Sequence, residues 1–175
     1  MAKKRKIPPT TTITVRPDLK TDSSHLSRPR TLRARRNGDS FELVSDALDL
    51  GLVTGDVVSC ASGVDGRRYL SGIVRLRAGS LAQIACGALC GPHREEFVDQ
   101  ATDDWYEEEA VRVEDFDCCL FGFWPPEIPV SVVRMVVELS AGEYRLASTV
   151  IPVHVRQAYI SRHVTFGLPA APQAA

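Results

Sequence analysis

Glycine-bearing turns punctuate this chain. Asn37-Gly38-Asp39, Gly55-Asp56, Asp65-Gly66 and Ala78-Gly79-Ser80 each fall between short segments rich in apolar residues. Segments of that length suit strands, and Asn-Gly between two of them is the strongest short hairpin signal. Thr31–Arg36 and Ser40–Val44 flank the first turn, and Phe41-Glu42-Leu43-Val44 alternates as a half-buried strand does. Val57–Ala61, Arg67–Arg77 and Leu81–Cys86 follow as further strands, so a small antiparallel sheet or partly open barrel is expected. Farther on, Val130–Leu139 and Tyr144–Val150 bracket Ser140-Ala141-Gly142 as a second hairpin. Ile151–Ile160 fits strand and helix equally.

Residues 92–110 read as the one helix. Pro92 suits a first helical turn, and Glu95 and Glu96 stand where the helix dipole favours negative charge. Phe97, Ala101 and Trp105 recur at i, i+4 and i+8, an apolar stripe on an acidic rod. Glu107-Glu108-Glu109 lies at the wrong end for the dipole, so the last turn should fray unless a cation meets it. The fold expected is α+β: an antiparallel β-rich core, one acidic amphipathic helix and a flexible basic N-terminal arm. The arm spans residues 1–29, which are polar, basic and broken by Pro8, Pro9, Pro17 and Pro29; only Thr10–Val15 resembles a strand. Residues 30–167 form a single domain, or two similar β units around the helix, because Gly38–Ser45 echoes Gly142–Ser148. Residues 168–175 are a disordered tail.

At 175 residues, 44% hydrophobic and 25% charged, the chain can bury a globular core. Its longest apolar run, Val130–Val137, contains Arg134 and is too short to cross a bilayer, so no membrane partner is expected. No apolar stretch follows Lys3-Lys4-Arg5-Lys6, which implies a cytoplasmic protein. Five cysteines there read as free thiols or metal ligands. Lys stops at Lys20 and every later cation is Arg, a bias associated with high-GC bacterial or phage genes. The stretch Gly38–Val74, with its aromatic-x-Leu strand and Gly55-Asp56-Val57-Val58 turn, resembles small bacterial proteins sharing a Gly-Asp-Val-Val element. That resemblance implies a β-rich fold and no activity.

Charge is unevenly placed. The first thirty-six residues hold eleven of the 21 Lys and Arg against two acids, whereas Glu95–Asp117 holds eleven carboxylates against Arg112 alone. A basic tract of this kind can follow phosphates and release counterions, and Arg28-Pro29-Arg30 can enter a narrow minor groove. The candidate nucleic-acid or anion contacts are Lys3, Lys4, Arg5, Lys6, Arg28, Arg30, Arg33, Arg35 and Arg36, with an acidic protein surface as the other partner. Asp103, Asp104, Glu107 and Glu108 are the candidate partner-binding acids, facing a basic protein or another copy of the chain in a homo-oligomer.

The candidate metal group is Cys86, Cys90, His93 and Cys118 (or Cys119), since turn glycines let thiolates converge on one zinc ion. His154, His163, Arg156, Arg162 and Tyr159 are a further candidate lining for an anion pocket, and Phe121, Phe123 and Trp124 read as core or interface edge. No Gly-x-Ser-x-Gly elbow or phosphate-binding glycine loop is present. The leading expectation is therefore a non-enzymatic cytoplasmic binding protein. The alternatives are a zinc-stabilised domain or small metal-dependent enzyme, and a subunit or inhibitor acting through its acidic helix.

Overall fold

In a computed structural model of the chain, residues 9–18 and 29–169 are described. They divide into two compact units. The first runs to Ala47, resumes over Leu52–Arg77 and takes in the chain from Ser161; the second comprises Leu48–Gly51 and Ala78–Ile160. The whole is α+β and β-rich, with a six-stranded mixed sheet, a four-stranded antiparallel sheet and three α-helices among the described residues. None of these helices is long and apolar enough to cross a membrane.

In the first unit, β1 (Thr10–Pro17), β2 (Arg30–Asn37), β3 (Ser40–Leu43), β4 (Val57–Ser62) and β5 (Arg68–Arg75) form an up-and-down meander. The short β10 (Val164–Thr165) extends its edge by pairing with β1. Five alternating strands leave the first and last pointing the same way, so where β1 meets β5, at Thr14 and Tyr69, the pairing is parallel. The sheet thus curls back on itself. Alternation sets its inside: Ile13, Val15, Leu32, Ala34 and Leu43 are buried, while Thr12, Arg33 and Arg35 face out. The β2–β3 hairpin closes with Asn37 opposite Ser40 and Gly38 at φ 62°, a left-handed turn position that glycine adopts without a side-chain clash. Buried Asp56 accepts hydrogen bonds from the backbone N–H groups of Val53 and Arg77, at 2.9 and 2.7 Å, which accounts for the Gly55-Asp56 pair.

The expectation of a flexible arm through residue 29 needs correction. Thr10–Pro17 is strand β1, because Ile13 and Val15 supply the apolar face that closes the sheet. The remaining arm positions 1–8 and 19–28 lie outside the described residues, as does most of the predicted tail.

The second unit is built on β7 (Arg112–Phe116), β8 (Cys119–Trp124), β6 (Ser80–Ala85) and β9 (Ala147–Pro152), in that spatial order and all antiparallel. Ala82, Ile84, Leu120 and Trp124 share one face, covered by α1 (Pro92–Glu107) and α2 (Val130–Glu143). Leu81 and Phe123, on the alternate positions, are equally buried. Beside Phe123 lies fully buried Arg156 of α3 (Val153–His163), its guanidinium 5.4 Å from the ring centre. The 3₁₀ turn Leu48–Leu50 meets α3 where Tyr159 donates a hydrogen bond to the Asp49 carbonyl at 3.1 Å.

Three helices replace the expected one. Helix α1 starts at Pro92 and buries Phe97, Ala101 and Trp105, the predicted stripe, but ends at Glu107 rather than residue 110. The Val130–Leu139 strand is instead α2, whose buried residues Val133, Val136, Val137 and Ala141 are spaced for a helix. Ile151–Ile160 divides between the end of β9 and α3. Gly142 lies inside α2, so its echo of the Gly38 hairpin has no structural counterpart.

Candidate functional site

Two surfaces of opposite charge stand out, one in each unit. The first is basic. Arg33 and Arg35 point outward from β2 and are exposed; they stand opposite Thr12 and Thr10 on β1, and Arg35 also stands opposite Glu42 on β3. Arg36 is exposed too and is paired in register with Phe41, its Nε donating to the Gly38 carbonyl at 3.1 Å. Arg30 is half-buried at the start of the strand. Lys3, Lys4, Arg5, Lys6 and Arg28 lie outside the described residues.

Arg36 and Phe41 stand two positions from Ala34 and Leu43 and so lie on the face opposite Arg33 and Arg35, where Arg68 of β5, a residue the sequence reading did not single out, meets them. Its guanidinium lies 5.5 Å from the centre of the Phe41 ring and donates to Thr11 Oγ1 at 2.7 Å. Two arginines from different strands therefore neighbour one aromatic ring. The β4–β5 turn that presents Arg68 is fixed by Asp65, which accepts from the Tyr69 hydroxyl at 2.7 Å and the Arg67 N–H at 3.1 Å. The Tyr69 hydrogen bond, with help from Arg67, holds the Asp65 carboxyl below the usual carboxylate range, so the turn stays anionic at its base. The sequence signal was the doublet Arg67-Arg68 directly after an Asp-Gly turn.

The second surface is acidic. A groove of about 410 Å³ runs between α1 and α2. Its floor is apolar, made by Phe97, Ala101 and Val136, and its rim carries Asp104, Glu107, Glu108 and Glu143. Three of the four predicted partner-binding acids are thus on the groove; Asp103 is exposed but does not line it. Met135 and Leu139, one turn apart on α2, remain 55% and 67% exposed along one wall. The helices are joined beneath by Trp105 Nε1 donating to Ser140 Oγ at 3.1 Å and by an edge-on contact of Phe97 with Tyr144. An apolar floor between two helices could have been inferred only with α2 read as a helix.

The predicted metal group does not assemble. Among the described residues, no three His, Cys, Asp or Glu side chains are grouped to hold a metal ion. Cys86 is buried at the end of β6, while Cys90 and His93 are exposed at the entry to α1. Cys118 does approach, since its carbonyl accepts from the Cys86 N–H at 2.8 Å, but Cys90 and His93 do not join it. Burial pushes the Cys86 thiol up and raises Cys119 to about 11, although Gln83 Nε2 donates to the Cys119 sulfur. All five cysteines are free. The expected anion pocket is also lost at its centre: Arg156 is fully buried against Phe123 and His154 is exposed. Phe121, Phe123 and Trp124 are buried in the second unit, on the core side of the two alternatives.

No family model matches the chain, and no curated protein matches it. Among solved structures it is similar to a hypothetical protein from Neisseria gonorrhoeae, at 12% identity and a TM-score of 0.56, over 82% of this chain and 94% of that one. At that identity the likeness is one of fold alone.

Proposed function

We propose that this protein is a cytoplasmic binding protein whose first unit contacts the phosphate backbone of nucleic acid. The observation that carries the reading is the arginine surface of the curled sheet. Arg33 and Arg35 project side by side from the outer face of β2, and Arg36 and Arg68 stand exposed beside the half-buried ring of Phe41 on the other face. Guanidinium groups pair with phosphate oxygens in two-pronged fashion, and cations displaced from the nucleic acid drive such binding. The threonines beside them on β1 add hydroxyl donors without closing off the surface. Five free thiols suit a reducing compartment.

Binding to labelled single-stranded and duplex DNA, titrated between about 50 and 200 mM salt, tests the reading. Affinity should fall steeply with salt. The triple variant Arg33→Gln, Arg35→Gln, Arg36→Gln should flatten the log–log slope by about 2–3, following roughly 0.9 per phosphate contact. Equal binding by the parent and the triple variant would dispose of the proposal, as would no binding at the lowest salt.

A further inference from the structure

The groove between α1 and α2 carries an inference independent of the nucleic-acid reading. We infer that it is a docking site for a basic, amphipathic segment of a partner protein, one with apolar side chains a helical turn apart and Lys or Arg beside them. The acid rim sets the sign of the occupant. Asp104, Glu107, Glu108 and Glu143 border the groove, with no cation among its lining residues, whereas Glu138 and Arg134 together border a second depression on the same stretch of α2. Carboxylates gathered in this way repel phosphates and anionic headgroups, which excludes nucleic acid and acidic membranes as occupants.

The rest of the groove sets its shape and polarity. Met135 and Leu139 border both depressions and are more than half exposed, an apolar ridge between the groove and a depression otherwise lined by Ser131, Arg134 and Glu138. Side chains at i and i+4 on α2 match apolar anchors on an incoming helix, and the flexible methionine adapts to differing partners. A bare acidic face would need only cations; this one also offers apolar surface that only apolar groups can cover. A second copy of the chain meets the charge requirement but not the apolar one at its described basic strand. Arg33 and Arg35, the outward arginines of β2, share their face with Thr31 and stand beside Thr10 and Thr12, with no large apolar group on that face among them.

The test uses the full-length protein and a fluorescein-labelled synthetic peptide patterned so that Leu lines one helical face and Lys the other. A control peptide has every Leu replaced by Ser at equal charge. The Leu–Lys peptide should bind at least tenfold more tightly than the control. The double variant Met135→Ser, Leu139→Ser should lose at least tenfold, with its thermal midpoint held because both side chains are already exposed. The triple variant Asp104→Asn, Glu107→Gln, Glu108→Gln should weaken binding and reduce its salt dependence. Equal affinity for the two peptides would overturn the inference in favour of diffuse charge attraction, as would indifference to the Met135/Leu139 change. Spermidine competing as well as the peptide would overturn it in favour of a small-cation site. Light scattering that shows a dimer dissolved by Leu139→Ser would overturn it in favour of a second copy.

Discussion

Gly122 shows how tightly the second unit is built around its two tryptophans. A Cβ added there would stand 2.6 Å from the Trp124 ring and 2.7 Å from the Trp105 ring. Both indoles are fully buried and pinned by hydrogen bonds, Trp105 to Ser140 and Trp124 to the Glu108 carbonyl at 2.9 Å, so neither yields easily. Gly122→Ala should therefore cost about 1–3 kcal/mol, the usual range for an overfilled core, read as a lower urea midpoint by tryptophan fluorescence. In the first unit the sensitive single residue is Cys60. Burial raises its thiol from 9.0 to about 11, with Arg68 opposing the rise. The folded state then holds the proton more tightly than the unfolded chain. That contribution to stability is complete below pH 9 and is lost as pH rises toward 11. Urea midpoints followed by far-ultraviolet circular dichroism should fall across that window, and Cys60→Ala should fall less steeply. The Phe97, Ala101 and Trp105 positions were readable from spacing alone, whereas nothing local announces that Gly122 separates two indoles from different elements.

Helix endings explain where elements were read correctly and where they were not. Both α1 and α2 stop with the same pair of backbone hydrogen bonds. In α1, Ala110 N–H reaches the Trp105 carbonyl and Glu109 N–H that of Tyr106; in α2, Leu146 reaches Ala141 and Arg145 reaches Gly142. This pairing puts the residue after the cap in the left-handed region, normally as glycine, yet here Glu109 has φ 65° and Arg145 φ 55°. Gly142 stands three residues early, inside the helix, and so mimics a hairpin turn between two apparent strands. The valine-rich run from Val130 adds to the impression, because β-branched residues favour strands until burial on a helical stripe overrides them. The β2–β3 hairpin, by contrast, carries its glycine at the position that needs it. Glu109→Gly and Arg145→Gly should each raise stability by about 1 kcal/mol by relieving the left-handed backbone, measured as an upward shift in thermal midpoint. Gly142→Ala should help as well, since no atom lies within 4 Å of the added Cβ.

At the scale of the molecule, charge follows the folded units more closely than it follows the sequence. The first unit contains sixteen of the 21 Lys and Arg with seven carboxylates, and the second contains five with fifteen. Polarity between the N-terminal tract and Glu95–Asp117 was visible in the sequence. The partition was not, because Leu48–Gly51 and the segment from Ser161 change units without any compositional mark. A unit with fifteen acids and five arginines repels itself, and salt screens that repulsion over a length of about 10 Å at 0.1 M. Trp105 and Trp124 are the chain's two tryptophans and both belong to the acidic unit, so their fluorescence reports its unfolding alone. Raising sodium chloride from about 0.1 to 1 M should lift the tryptophan-detected urea midpoint while it weakens nucleic-acid binding through the arginine surface. One variable then drives the two units in opposite directions. A midpoint that falls with salt would mean attractive pairs such as Arg94 with Asp115, bonded at 3.0 Å, outweigh crowding among the α1 carboxylates.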